Sequence, residues 1–112
     1  MAEAMEITTF HLARGVTMKD FIAANADVDA WLKQQPGFIL RRISQRADGL
    51  VTDMLLWTSA KDGEQAARGI VTELANSPVH AAIDHSTVNW SVAVCRHRVN
   101  QDVDDRPETD YR

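Results

Sequence analysis

The chain has 112 residues, a mass of 12.5 kDa and a formal net charge of −4. Its length fits one domain on the usual scale of roughly 100–200 residues, and 45% hydrophobic with 25% charged residues argues against a disordered or membrane protein. No stretch approaches the roughly 18 apolar residues of a membrane span, and no basic run beyond Arg41-Arg42 is there to displace phosphate counterions, which argues against nucleic-acid binding.

Glu6–Ala13 is rich in β-branched and aromatic residues and predicts a first strand. Thr8, Phe10 and Leu12 fall on one face of it, and Ile7, Thr9, His11 and Ala13 on the other. Thr17-x-x-Asp20 has the residues of a capped helix start, with the acid at the positive end of the helix dipole. Met18, Phe21, Ile22, Val28, Trp31 and Leu32 continue as one apolar stripe that Asn25 interrupts, and Pro36-Gly37 ends the helix.

Phe38–Arg46 and Leu50–Thr58 predict two strands joined at Asp48-Gly49, a dipeptide suited to a two-residue type I′ turn. That turn places Asp53 opposite Ser44, with Arg42 and Arg46 diagonal to it, and puts Leu40, Val51, Leu55 and Trp57 on the same face. Ser59-x-x-Asp62 opens a second helix with Ala66, Ile70 and Leu74 on one side. Ser77-Pro78 starts a short further turn. Val88–Val99 alternates Trp90, Val92 and Val94 against Ser91, Ala93 and Cys95, the pattern of a last strand.

The order β-α-β-β-α-β predicts an α+β, ferredoxin-like domain over residues 1–99, a four-stranded antiparallel sheet with two helices on one face. Both faces of the strands carry apolar residues, so the uncovered face calls for a partner, and a second copy is the commonest solution. Residues 100–112 hold five acids and two arginines, supply −3 of the net charge, and read as a disordered tail. The single cysteine, Cys95, cannot form an intrachain disulfide and has no evident activator. It reads as a small buried hydrophobe in a protein of the reducing cytoplasm.

Pro36-Gly37-Phe38, Trp57-x-Ser59 and the alanines of the following helix resemble the dimeric α/β-barrel proteins, and within them the antibiotic-biosynthesis-monooxygenase-like group. The resemblance covers Glu6–Val99. It implies two sheets stacked across a homodimer, a pocket in each subunit between sheet and helices, and a small hydrophobic or aromatic molecule as the ligand. Members include cofactor-free oxygenases, haem-degrading monooxygenases and proteins without an assigned activity.

Oxygen reacts with an electron-rich substrate anion in the cofactor-free branch, so the protein must hold a ring and stabilise its deprotonated form. His80, His11 and Asp53 are the candidate proton-handling groups, and Trp57, Phe38, Phe10, Trp31 and His85 the candidate pocket walls. Each also has an ordinary structural reading. Asp53 could be a paired acid that fixes the hairpin, in which case a cationic neighbour makes it a poor base. His11 could lie in the dimer interior, and the three tryptophans could be core, with Trp90 alternatively at the interface. His80 and His85 are five residues apart, about 500° around a helix, so they do not form the i, i+4 pair of a zincin and make only a weak metal site by themselves.

Haem degradation is the weaker expectation. That branch resembles the chain at Trp57-x-Ser59 and Ser77–Val79, but neither His80 nor His85 falls in register for an axial ligand. Thr9 or His11 stands where that branch carries a first-strand asparagine. The expected cofactor is therefore none. An enzyme should show a closed pocket holding a histidine free of structural partners. A binding or assembly protein should show the pocket filled by Trp57 and Phe38, with both histidines in solvent.

Overall fold

The protein is described over residues 2–101 by a computed structural model. Residues 102–112 of the acidic tail lie outside the described residues. The elements are β1 (Ala4–Leu12), α1 (Met18–Ala24), α2 (Ala26–Leu32), β2 (Phe38–Gln45), β3 (Val51–Trp57), α3 (Ala60–Glu73), a 3-10 turn (Pro78–Ala82) and β4 (Ile83–Val94). The strands form one antiparallel sheet in the order β2-β3-β1-β4. That is the α+β, ferredoxin-like arrangement, with all helices on one side.

Strand alternation decides which side chains meet the helices. In β1 these are Ala4, Glu6, Thr8, Phe10 and Leu12. In β3 they are Val51, Asp53, Leu55 and Trp57, all buried. Phe10, Phe21, Val28, Leu32, Val51, Leu55, Trp57, Ala66, Val79 and Ala82 make the core. Each large apolar side chain among them stabilises the fold by about 1.5–3 kcal/mol through burial. Gly63 of α3 lets the helix lie directly on Trp57, since a Cβ there would sit 3.0 Å from the indole.

Capping starts the helices where the sequence predicts. Thr17 Oγ1 accepts from the Asp20 backbone N–H at 3.1 Å while Asp20 Oδ2 accepts from that of Thr17 at 3.1 Å, a complete capping box. Ser59 Oγ accepts from the Asp62 N–H at 3.2 Å to open α3. The single helix expected up to Pro36 is instead two seven-residue helices, α1 and α2, joined at Asn25. Asn25 donates from Nδ2 to the Phe21 carbonyl at 2.8 Å, the side-chain competition with backbone that makes asparagine a helix interrupter.

The β2–β3 register differs from expectation by one residue. The Arg46 N–H donates to Leu50 O at 2.9 Å and the Gly49 N–H to Arg46 O at 2.9 Å, which leaves a three-residue loop, Ala47-Asp48-Gly49. Only Gly49 in this loop has positive φ, at 93°, so the turn is not the type I′ that needs two such residues. Asp53 therefore faces Ile43 rather than Ser44, and Trp57 faces Phe38 rather than Leu40. A one-residue slip exchanges the faces of a strand. Arg41 and Ile43 join Asp53 on the helix side, while Leu40 and Arg42 go to the open side.

β4 is Ile83–Val94, displaced five residues towards the N-terminus from the expected Val88–Val99. Its pairing with β1 shifts between Thr9↔Asn89 and His11↔Asp84, so four β4 residues oppose Phe10 alone. Asp84 Oδ1 accepts from both the N–H and the hydroxyl of Ser86, and Thr87 Oγ1 accepts from the His11 N–H at 2.8 Å. These side chains satisfy the interrupted ladder. Cys95 lies just beyond β4, half-buried rather than buried, with Sγ 3.3 Å from His97 O.

Candidate functional site

A cavity of about 620 Å³ opens between the sheet and the helices. Its floor is the helix side of β1, β2 and β3, contributing Glu6, Thr8, Phe10, Arg41 and Asp53. Phe21, Asn25 and Val28 close one side. Glu64, Ala67, Arg68, Ile70 and Val71 of α3 form the other, and Val79, His80, Ile83, His85, Val88 and Trp90 complete the wall.

Two polar constructions lie in the floor. In the first, Arg41 pairs with Asp53 through two bonds, Nε to Oδ1 at 3.0 Å and Nη2 to Oδ2 at 2.7 Å. The same guanidinium donates to Asn25 Oδ1 at 2.8 Å and to Asp29 Oδ1 at 2.9 Å. Burial opposes the Arg41 charge, but its bonds to Asp53 and Asp29 outweigh that and hold its pKa above the ordinary arginine value. In the second construction, Glu6 is buried with both oxygens engaged: Trp57 Nε1 donates to Oε1 at 2.9 Å and Trp90 Nε1 to Oε2 at 2.7 Å. Burial pushes the Glu6 carboxyl up, partly offset by the two indole bonds and then raised slightly more by Asp53.

The histidines are tied to backbone. His80 Nε2 lies 2.8 Å from Leu74 O and His85 Nε2 lies 2.7 Å from His80 O. A carbonyl only accepts, so each Nε2 carries the proton and each neutral ring keeps Nδ1 as its basic atom. The two rings are 6.3 Å apart.

Of the residues anticipated from the sequence, Asp53, His80, Phe10 and His85 line the cavity. His11 does not: it sits exposed on the open side of β1, away from Asp53 and His80. Trp57 is fully buried under α3, with Phe38 edge-on to it at 5.5 Å, and neither lines the cavity. Trp31 packs on Gly69 of α3, with Nε1 3.5 Å from Glu73 Oε1. Asp53 pairs with Arg41, not with Arg42 or Arg46. Trp90 lies on the helix side of β4.

Glu6, Arg41, Asn25 and Trp90 are among the cavity residues that sequence reasoning did not single out for the site. Glu6 had a visible signal, since it shares the alternation of Thr8, Phe10 and Leu12 and is thus an acid on a core-facing strand face. Arg41 depended on the length of the hairpin loop. Asn25 appeared only as a break in an apolar stripe.

A haem would need an imidazole nitrogen turned to the iron. Both Nε2 atoms here are bound to main-chain carbonyls, and the cavity floor presents two carboxylates, Glu6 and Asp53. Neither Nε2 is therefore available to an iron, and only the Nδ1 atoms remain as candidate ligands. Among the described residues, no three His, Cys, Asp or Glu side chains group as a metal site requires.

The fold is that of the antibiotic-biosynthesis-monooxygenase-like proteins. SnoaB of Streptomyces nogalater, a cofactor-independent oxygenase, matches at a TM-score of 0.69 and 16% identity, covering 90% of this chain and 100% of its own. The ActVA-Orf6 monooxygenase of Streptomyces coelicolor, solved with nanaomycin D, matches at 0.60 and 16%, covering 89% of this chain and 93% of its own. Rv0793 of Mycobacterium tuberculosis matches at 0.66 and 11%, covering 88% and 100% respectively. No family model and no curated protein matches the chain. No helix among the described residues is long and apolar enough to cross a membrane.

Proposed function

We propose that the protein is a cofactor-independent oxygenase of a small planar or aromatic compound, working as a homodimer. The observation that carries this reading is the cavity itself: about 620 Å³, walled mainly by apolar side chains, with buried polar groups confined to one side. Trp57 and Phe38 do not fill it, which favours a ligand site over a purely structural role. SnoaB and ActVA-Orf6 supply the reaction class by likeness of fold.

The chemistry asks little of the protein beyond binding and proton transfer. A ring methylene flanked by electron-rich aromatic carbon loses a proton to become an enolate, and the enolate reduces O2. The carbon ends as a carbonyl, and the second oxygen atom leaves as water with the two hydrogens. His80, with Nδ1 as its basic atom, is positioned in the wall to move a proton. Asp53 has both carboxylate oxygens bonded to the Arg41 guanidinium, so its role is to orient Arg41.

Anthrone tests the reaction. The protein is expected to accelerate its O2 uptake, with one ketone formed per O2, and Ala67→Trp, which fills the cavity from α3, is expected to abolish the acceleration. No acceleration, together with no binding of nanaomycin D, would refute the reading. A second reading, a ligand-binding protein without turnover, is favoured by one observation: His80 Nε2 has a structural partner in Leu74 O. Binding of nanaomycin D without O2 uptake would select it.

The open side of the sheet carries Met5, Ile7, Leu40, Met54 and Leu56, with Met5 37% exposed. A second copy stacked there would remove these side chains from water. Native mass spectrometry should then find twice 12.5 kDa, and a monomer would overturn the dimer.

A further inference from the structure

Glu6 is the cavity's buried carboxylate without a cation of its own. Among the described residues it makes no ion pair, whereas Asp53 is paired with Arg41. The charged and titratable groups around it are Asp53 from β3, Arg41 from β2, Glu64 and Arg68 from α3, and His80 and His85 across the cavity. Arg41 is already held by Asp53 and Asp29, and Glu64 and Arg68 are exposed. None of these neutralises Glu6.

An ionised carboxylate offers about four lone-pair positions on its two oxygens. Trp57 and Trp90 take one on each. Indole N–H groups only donate, so they fix the carboxylate in place as an acceptor on both sides. The remaining positions belong to a group that lines the cavity and calls for a hydrogen-bond donor. An ether or carbonyl oxygen of a ligand would meet Glu6 acceptor to acceptor.

We propose that Glu6, clamped by Trp57 and Trp90, accepts the hydroxyl proton of a planar ligand, so that the cavity selects phenols and enols over their ethers. This names the substrate class of the oxygenase reading and rests on it. In the transfer, the ligand O–H bond breaks, the proton passes to a Glu6 oxygen, and the electron pair stays on the ligand oxygen. No electron changes hands. The cavity's charge is the same before and after, a carboxylate and a neutral ligand becoming a neutral acid and an anion. A proton lost to solvent would leave the ligand anion beside two carboxylates, Glu6 and Asp53, in a poorly solvated wall. Burial of Glu6 also raises its affinity for the proton.

Calorimetric titration of the full chain with 2-naphthol and 2-methoxynaphthalene tests this. At neutral pH, 2-naphthol is expected to bind about tenfold tighter or more, the scale of a hydrogen bond to a charged acceptor. Glu6→Gln is expected to bring the two to within about twofold. The wild-type preference is expected to vanish as pH falls through the Glu6 titration, starting higher than for an ordinary glutamate. Trp90→Phe removes a bond to the charged form and should move that loss to still higher pH, which decides the matter if Glu6→Gln fails to fold. Equal binding of both probes by the wild type, a preference kept in Glu6→Gln, or a midpoint unmoved by Trp90→Phe would overturn the role of Glu6. Binding of neither probe would overturn the role of Glu6, while the oxygenase reading stands or falls on anthrone and nanaomycin D.

Discussion

Replacing Arg41 by methionine isolates the polar network under the cavity. The Arg41 and Asp53 side chains are only 11% and 12% exposed, and two hydrogen bonds join them. Removing the guanidinium strands the Asp53 carboxylate and leaves the buried Asn25 Oδ1 without its donor. Breaking one side of a buried pair costs about 3–5 kcal/mol, against a total stability of about 5–15 kcal/mol for a domain. Asp29, 54% exposed, is resolvated and adds little. The double variant Arg41→Met/Asp53→Leu removes both charges, so its deficit should fall to about 1–3 kcal/mol, the cost of the unsatisfied Asn25 amide. Equilibrium urea unfolding at pH 7 measures all three proteins. A loss under about 1 kcal/mol for Arg41→Met, or a double variant no more stable than the single one, would refute this account of the network.

Arg46→Ala, which removes the exposed pair with Asp48, should change stability by under about 0.5 kcal/mol in the same assay. Gly63→Ala would normally stabilise a helix, but the new Cβ meets Trp57, which is fully buried and tied to Glu6; a net loss of about 1 kcal/mol is expected by urea unfolding. Because the Glu6 carboxyl is raised above its usual 4.5, the unfolded chain ionises first as pH rises. The native state is thus favoured by Glu6 below that value, and the contribution is lost as pH rises through the higher folded titration. Followed from pH 4 upward by urea unfolding, the stability of the wild type relative to Glu6→Gln should fall over that window and level off above it. Leu55→Asp, at a core position only 5% exposed, should prevent folding, as circular dichroism would report.

Local signals were legible wherever they needed only neighbours in sequence. The Thr17/Asp20 box, the Ser59 cap and the alternation of β1 follow from chemistry within a few residues, and together they specify the ferredoxin-like order. The hairpin was harder, because Asp-Gly serves both a two-residue turn and the end of a three-residue one. The choice shifts the register by one and exchanges Arg41 for Arg42 beside Asp53. The cavity residues were harder still. Glu6 gains its meaning from Trp57 and Trp90, which are 51 and 84 positions away. No pattern within one segment announces that their indoles converge on one carboxylate. His11, conversely, has the right chemistry on the wrong face of its strand.

The break in the β1–β4 ladder opposite Phe10 has a consequence for how the molecule can vary. Its surplus residues lie between two stretches of regular pairing, Ala4–Thr9 with Asn89–Val94 and His11–Leu12 with Ile83–Asp84. The bulge they form within β4 carries His85 and Val88 into the cavity wall. Adding or deleting a residue there is absorbed locally, and neither stretch of pairing has to slide. The sheet can therefore stay constant while one end of the cavity is lengthened or shortened.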